Sequence, residues 1–277
     1  MLLQISSKGV RMKVRGAMLA VALIGAPLHS QAARAAPGAA QQDAVLKKSL
    51  CDQIVLLVAA DKDVSAQVDK FLDVSLKAMV RDDPAIAALE RNYPGMIEAM
   101  RAAWRPVFLK AAAATLPLYR AELSQHYQDN LTIAEARQVL AFFQTPEFQT
   151  FITMGRENMD YRQTTKNLTD DKDVSVQAVR SDIAAAGDKT AKQLSPIQRR
   201  KLMAFFSSPT GQKLLALNPK KLALETKWTN YVSPESEREI ELVTYETMIG
   251  HIGKTDPETA NLMRKELERQ GLLPKTP

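Results

Sequence analysis

The sequence predicts an all-α protein, in which about ten helices pack as a helical bundle with a duplicated helical hairpin and no sheet. Apolar residues recur every three or four positions, as in Val68, Phe71, Leu72, Leu76 and Val80, which is the spacing of one helix face. Alternating runs of Val, Ile and Thr between Asn-Gly or Asp-Gly turns, which are typical of strands, do not occur. A 22-residue segment also recurs after an offset of 63 residues, with the pattern of two short helices joined by a tight turn.

Residues 1–35 have the pattern of a cleavable secretory signal peptide. Bases at positions 8, 11, 13 and 15 precede a 12-residue apolar run over 17–28, and small residues up to Ala35 follow. A membrane-spanning helix needs about 20 apolar residues, so the pattern favours cleavage over a permanent anchor. We therefore expect an exported protein that is periplasmic in a host with two membranes and has no transmembrane anchor after cleavage.

Charge and cysteine content narrow the class of the protein further. The 277 residues include 37 Lys and Arg against 31 Asp and Glu, which gives a net charge of +6. Five of these bases lie in residues 1–35, so the mature chain has a net charge of only +1, and we expect no nucleic-acid partner. The single cysteine, Cys51, cannot form an internal disulfide. We expect it to be a buried small apolar residue rather than part of an intermolecular disulfide.

The N-terminal part of the mature chain is predicted to be helical after a short leader. Residues 36–42 are small and polar and are expected to form a flexible leader, and the N-terminal helical part covers 43–117. A Pro-Gly pair at position 94 should separate two helices. Pro106 and Pro117 lie inside the next helical pattern and must either kink a long helix or end it, so we expect that helix to be broken.

Helix starts are marked clearly in the second half of the chain. Thr132 with Glu135 and Ser195 with Gln198 fit the capping box, in which each side chain of the pair bonds to a free backbone N–H. Proline also follows a capping residue at five positions, because a first-turn N–H has no helical partner to lose. These pairs are Thr145-Pro146, Ser195-Pro196, Ser208-Pro209, Ser233-Pro234 and Asp256-Pro257. The sequence therefore predicts several short helices joined by tight turns.

The repeated segment begins at Leu131 and again at Leu194. Seven of its 22 positions are identical, including both residues of a Phe-Phe pair and a proline that starts the second helix. We assign the first hairpin copy to 118–168, the second hairpin copy to 169–231 and further C-terminal helices to 232–277. Two copies indicate a pseudo-dimer rather than a solenoid, since stacked repeats need at least three copies.

The aromatic residues of the repeat have two interpretations. Leu140 and Phe143 share one face of the first helix with other apolar residues, which is typical of a core, whereas paired aromatics can also line a ligand cleft. We favour the core. In the second copy Gly211 stands where the first copy has Phe148, so the two helices of that hairpin can approach more closely or leave room for a partner side chain.

The second copy resembles a known family. Its segment LMAFFSSPTGQKLL, followed by Leu217-Asn218-Pro219, is similar to the hallmark segment of the bacterial exported family known as domain of unknown function 2059. The first copy is less similar, because TPEFQTFI lacks the Gly and the Lys of SPTGQKLL. The resemblance covers residues 118–231. It implies an all-helical exported domain with no assigned activity, so it transfers no catalytic residue.

The sequence contains no motif that indicates metal, cofactor or catalytic chemistry. After residue 35 only His126 and His251 remain, and neither has the spacing of a zinc site. The acidic run 170–173 lacks the Gly and the distal Glu of a calcium loop. The GKT at 253–255 lacks the first Gly of a phosphate loop, and no nucleophile motif occurs. We predict no cofactor, no metal site and no catalytic residue.

The bases of the mature chain are concentrated in one basic region, which we define as Lys189 to Tyr231. It contains nine bases and one acid, Glu225, whereas the flanking parts of the mature chain are net acidic. The residues expected to bind a partner are Arg199, Arg200, Lys201, Lys213, Lys220, Lys221 and Lys227. Those in the repeat lie off its apolar stripe and should be exposed.

The basic region has a functional and a neutral interpretation. It could bind an anionic envelope component, such as phosphorylated lipid headgroups or an acidic polymer, or another envelope protein. The alternative is a solvated face that is partly neutralised by one acidic helix. That helix carries Glu235, Glu237, Glu239 and Glu241.

Three functions stay open on the sequence alone. We favour a non-enzymatic binding or adaptor module of the cell envelope that contacts anionic surfaces through the basic region. An envelope hydrolase would require carboxylates that converge only in the fold. A structural or chaperone-like protein would use the duplicated hairpins to self-associate as a homo-oligomer.

Overall fold

The computed structural model describes residues 38–60, 64–170 and 172–275, and these residues form thirteen helices and no strand. The all-α fold is confirmed, with thirteen helices in place of about ten. The helices are α1 Ala39–Val58, α2 Val64–Asp82, α3 Pro84–Asn92, α4 Met96–Asn130, α5 Ile133–Phe143, α6 Pro146–Asn158, α7 Arg162–Thr169, α8 Val176–Gln193, α9 Pro196–Phe206, α10 Pro209–Ala216, α11 Asn218–Asn230, α12 Pro234–Ile252 and α13 Pro257–Arg269. The predicted signal peptide, residues 1–35, lies outside the described residues.

The first helix begins before its predicted start. Helix α1 starts at Ala39 with Gly38 as its N-cap, so the part of the expected leader from Ala39 onward is helical. The Ala and Gln residues there have high helix propensity and extend a helix that its later turns anchor in the core. The boundary at residue 43 is therefore corrected to residue 39.

The helix starts follow the predicted caps closely. All five cap-proline pairs begin helices, and in each the capping side chain accepts a hydrogen bond from the backbone N–H three residues later. Both capping boxes form completely. A sixth pair, Asp83-Pro84, begins α3 in the same way. At the expected break, α3 ends at Asn92 and α4 begins after Gly95, whose φ of 85° lies in the left-handed region that favours glycine.

Helix α4 is one continuous helix of 35 residues, so the prediction that it is broken is wrong. Pro106 and Pro117 both lie inside it, and each removes one backbone hydrogen bond. Burial offsets this loss, because α1, α2, α11 and α12 all pack against α4. A buried hydrogen bond of 2.8 Å from Trp104 Nε1 to Thr244 Oγ1 also connects α4 to α12.

Two hydrophobic cores lie along α4. The first contains its N-terminal half with α2, α3, α12 and α13, and includes Trp104 and Phe108. The second contains its C-terminal half with α1 and both hairpins, and includes Leu123 and Tyr127. The boundary between 117 and 118 therefore falls inside a helix that both cores share, and it does not separate two structural units.

Both predicted hairpins form, as α5 with α6 and α9 with α10, and they pack in a pseudo-twofold arrangement. Helix α5 contacts α10, and α6 contacts α9. The first helix of each hairpin therefore packs against the second helix of the other hairpin, as expected for twofold symmetry. Phe142 stacks on its own counterpart Phe205, with ring centroids 3.7 Å apart and an interplanar angle of 7°. Phe143 stacks on Phe148 inside the first hairpin. The paired aromatics therefore belong to the core and to the contact between the hairpins.

Polar contacts repeat the same symmetry. The Thr210 hydroxyl donates to Gln138 Oε1 over 2.5 Å, and Lys201 Nζ donates to Glu147 Oε1 over 2.5 Å. Gln138 and Lys201 are counterparts at the offset of 63, and so are Glu147 and Thr210. Each hairpin thus presents the same two positions to the other, as at the interface of a symmetric dimer.

Gly211 allows the second hairpin to close more tightly than the first. A Cβ atom at this position would lie 2.0 Å from the Phe205 carbonyl oxygen and 2.7 Å from the Phe206 Cα atom. The backbone of the preceding helix therefore occupies the space that any side chain would need. Of the two alternatives predicted at Gly211, the structure shows the close approach.

We predict that Gly211→Ala destabilises the protein by about 1–3 kcal/mol, because the backbone of α9 must move to admit the methyl group. Gly187→Ala is the matched control, since a Cβ atom there meets nothing within 4 Å. That control should stabilise helix α8 by about 0.5–1 kcal/mol. Urea unfolding measures both changes, and equal stability of the two variants would contradict the close contact at Gly211.

We also predict that Cys51 reacts slowly in the native protein. Its side chain is fully buried, and burial raises the pKa of the thiol to about 11. Labelling by a disulfide reagent at pH 8 should therefore be at least about 100-fold slower than in denaturant. The control is Cys51→Ala combined with Ser49→Cys, which moves the thiol to an exposed position of α1. Equal native rates for the two proteins would show that Cys51 is accessible.

Candidate functional site

Four of the seven predicted binding residues are ion-paired within the protein. The pairs are Lys201 with Glu147 (2.5 Å), Lys213 with Glu135 (2.8 Å), Lys227 with Glu122 (2.5 Å) and Lys221 with Glu225. Hydrogen bonds from the lysines lower the pKa values of Glu122, Glu135 and Glu147. Lys213 is half-buried rather than exposed, because Glu135 draws it onto the first turn of α5.

Two carboxylates of the acidic helix pair outside the basic region. Glu235 and Glu239 of α12 pair instead with Lys110 of α4, at 3.4 and 2.7 Å. This follows from the fold, since α12 packs against α4 and α13. The carboxylates that pair with lysines of the basic region lie on α4, α5, α6 and α11, and Asp160, between α6 and α7, pairs with Lys189 over 3.4 Å.

Three predicted residues, Arg199, Arg200 and Lys220, are exposed and form no ion pair within the described parts of the chain. The two arginines lie on α9 beside Ile197 and Met203, whose side chains are 59% and 64% exposed. We call Ile197, Arg199, Arg200 and Met203 the α9 face. Residues three or four positions apart are neighbours on a helix, so this face alternates charged and apolar side chains.

In the first hairpin, helix α1 covers part of the surface that corresponds to the α9 face, while Arg137, the counterpart of Arg200, stays exposed. Helix α1 packs against α5 there, and Ala136 and Leu140 are buried in the shared core. Their counterparts in the second hairpin are Arg199 and Met203, which are exposed. Arg199 in place of alanine prevents the close approach of another helix. The surface of the second hairpin is therefore left uncovered, with its arginine exposed to solvent.

A cavity of about 260 Å³ lies where α6, α8 and α11 meet α4. Its wall is mainly aliphatic and aromatic. The apolar lining residues are Val58, Phe151, Ile152, Met159, Val179, Ile183 and Ala186. Gly155 and Gly187 also lie in the wall. A Cβ atom added at either glycine would have no neighbouring atom closer than 4 Å. The cavity is larger than an engineered void of about 150 Å³ that binds benzene.

An ion pair between Lys221 and Glu225 lines this cavity. Lys221 Nζ donates to Glu225 Oε1, while Glu225 Oε2 is buried and has no hydrogen-bond partner among the described residues. Burial opposes the charge on Lys221, but Glu225 and Tyr127 outweigh it and raise the pKa of the ammonium. Burial, followed by the charge of Glu225, raises the pKa of the neighbouring Tyr119 phenol. The lysine is therefore charged and the phenol neutral at physiological pH.

A second polar group of the cavity wall is held by the backbone. Both carboxylate oxygens of Asp182 accept hydrogen bonds of 2.9 Å, from the N–H groups of Gln163 and Thr164 in the first turn of α7. The residue before that turn, Tyr161, has a φ of 50°, which is unfavourable for a residue other than glycine. Its hydroxyl donates to Gln67 Oε1, which holds the strained turn in place.

The two carboxylates of the cavity, Asp182 and Glu225, are each engaged by structural partners. Within the described ranges, no three His, Cys, Asp or Glu side chains are grouped so that they could hold a metal ion. Nε2 of His126 and of His251 lie 3.3 and 3.1 Å from backbone carbonyl oxygens.

Lys221 is the one polar residue of this cavity among the predicted binding residues. Tyr119, Tyr161 and Asp182 were not predicted from the sequence, because they come from three separate parts of the chain. One signal was available, since Glu225 is the single acid of the basic region and lies four residues after Lys221. That spacing places both side chains on one helix face.

We predict that Asp182→Ala destabilises the protein by at least about 2 kcal/mol, because it leaves the buried N–H of Thr164 and the partly buried N–H of Gln163 without acceptors. Asp188→Ala removes an exposed carboxylate from the same helix and should change stability by less than about 0.5 kcal/mol. Thermal or urea unfolding compares the two variants. If the cost of Asp182→Ala were as small as that of the control, the capping role of Asp182 would be wrong.

Comparisons with known proteins add no family assignment. No family model, curated protein or solved structure matches this chain. The resemblance to the domain of unknown function 2059 therefore stays a prediction. Among the described residues, no helix is both long enough and apolar enough to cross a membrane.

Proposed function

We propose that this protein is an exported, non-enzymatic binding module of the cell envelope, and that it attaches to anionic lipid surfaces through the α9 face. One observation supports this proposal above others. Arg199 and Arg200 are exposed without an acidic partner among the described residues, and they lie between exposed Ile197 and Met203.

Bases and apolar residues on one helix face suit the boundary between lipid headgroups and acyl chains. The guanidinium groups bind phosphates, while the Ile and Met side chains enter the outer part of the hydrocarbon. Each base near an anionic bilayer contributes about 1 kcal/mol. Two arginines and two apolar side chains therefore give weak, reversible attachment that responds to salt.

The comparison of the two hairpins favours a lipid surface over a covering helix. In the first hairpin, Ala136 lets α1 pack closely on α5. In the second hairpin, Arg199 occupies the corresponding position and keeps a covering helix at a distance. A bilayer surface needs no close backbone approach, and its headgroups can accept hydrogen bonds from both arginines.

Two further parts of the proposal, export to the periplasm and a non-enzymatic role, are supported by different observations. Export to the periplasm is proposed on the sequence of residues 1–35 and on the resemblance of the hairpins to an exported family. A non-enzymatic role is supported by Asp182, both of whose carboxylate oxygens accept backbone hydrogen bonds, and by the pairing of Glu225 Oε1 with Lys221.

We predict that residues 36–277 bind vesicles containing phosphatidylglycerol at low salt and do not bind neutral phosphatidylcholine vesicles. Arg199→Gln with Arg200→Gln should weaken cosedimentation at least about tenfold, since two charge contributions of about 1 kcal/mol are lost. Raising the salt concentration to 0.5 M should weaken wild-type binding in the same way.

The matched control is Arg137→Gln with Arg180→Gln, which removes two exposed arginines outside the α9 face. An equal loss of binding by the control would show that only net charge matters. Absence of binding at low salt would overturn the proposal. Sedimentation without vesicles tests the rival occupant, because a dimer that Met203→Glu disrupts would assign the α9 face to a second copy of the chain.

A further inference from the structure

We propose that the cavity between α6, α8, α11 and α4 is a binding site for a neutral apolar molecule that carries one hydroxyl or amide group. The apolar wall would hold the body of the molecule, and the ion pair of Lys221 and Glu225 would hold its polar group. This site is separate from the α9 face, and the inference does not depend on lipid attachment.

The cavity has the size and the lining of a small-molecule site. Its volume of about 260 Å³ exceeds that of a void that accepts a benzene ring, so a fused two-ring molecule is a suitable occupant. Ligand sites are mainly apolar with a few polar groups that orient the ligand, and this wall follows that pattern. Gly155 and Gly187 contribute no side chain, which leaves room at the junction of α6 and α8.

The ion pair lacks part of its hydrogen bonding. The Glu225 side chain is only 9% exposed, and its Oε2 atom has no hydrogen-bond partner among the described residues. An ionised carboxylate can accept several hydrogen bonds, and a buried oxygen without one is costly. Lys221, at 27% side-chain exposure, uses one of its three N–H donors on Glu225. The pair therefore offers one acceptor and further donors side by side.

A hydroxyl or an amide matches this pair because it both donates and accepts. Its hydrogen would bond to Glu225 after a small rotation of the carboxylate, and its oxygen would accept from Lys221. The charges of the wall also favour a neutral ligand. Arg156 donates to the Val58 carbonyl oxygen over 2.9 Å, and Asp182 accepts hydrogen bonds from two backbone N–H groups. Neither charged side chain therefore needs a ligand of opposite charge as its partner.

The test compares 2-naphthol with 2-methoxynaphthalene by isothermal titration at pH 7. The two probes share the ring system and the oxygen, but only 2-naphthol can donate to Glu225. Wild-type protein should bind 2-naphthol about tenfold tighter, as expected for a hydrogen bond to a charged group. Equal affinities would overturn the role of Glu225, and no binding of either probe at millimolar concentration would overturn the site.

The double variant Lys221→Met with Glu225→Leu replaces the ion pair by apolar side chains of similar size, a change that folded proteins commonly tolerate. It should bind the two probes with equal affinity and keep the wild-type affinity for 2-methoxynaphthalene. A remaining preference for 2-naphthol would show that another group holds the hydroxyl.

Gly187→Leu tests the position of the site and does not alter the ion pair. The leucine should fill the cavity and weaken both probes at least about tenfold. Gly250→Leu is the matched control, because Gly250 is also a helical glycine with nothing within 4 Å of its Cβ position, and it does not line the cavity. Wild-type affinity in Gly187→Leu would exclude the cavity as the binding site. Circular dichroism and urea unfolding of each variant separate lost binding from lost folding.

Discussion

The continuous burial of α4 is the constraint on which the rest of the structure depends. With 35 residues this helix is about 52 Å long, and both hydrophobic cores are built on it. Polar contacts of its buried side chains fix its neighbours, as where the Arg120 guanidinium donates to the Ala59 carbonyl oxygen at the end of α1. A break at Pro106 or Pro117 would separate the two cores, so packing on several sides maintains the helix against the loss of two backbone hydrogen bonds.

The duplicated hairpin combines a preserved inner interface with different outer surfaces. The inner interface keeps Phe142 stacked on Phe205 and repeats one polar pair in both directions. The outer surfaces differ because α1 covers only the first copy, where Ala136 permits close packing. The two copies therefore form one stable pseudo-dimer, and the α9 face of the second copy stays uncovered. That uncovered face can serve a function that the first copy does not have.

Charge in the basic region is distributed by the fold into three groups. Lysines on the inner side of the second hairpin and on α11 pair with acids of the rest of the protein, and they stabilise it. Lys221 enters the cavity wall with Glu225. Lys192, Arg199, Arg200 and Lys220 are exposed and form no ion pair among the described residues, so their charge stays available to the surroundings. A net charge of +8 along this stretch of sequence thus overstates the positive charge that a partner meets.

The sequence by itself determined the helical class, the helix starts and the two hairpins. These depend on local chemistry, since caps such as Ser195 with Gln198 and the apolar spacing act within a few residues. Tertiary structure alone decided that α4 continues through two prolines, which lysines are paired, and that Tyr119, Asp182 and Glu225 share one cavity. Residues far apart in the chain meet there, and long-range burial can outweigh a local preference by several kcal/mol. A short sequence pattern does not contain these long-range contacts.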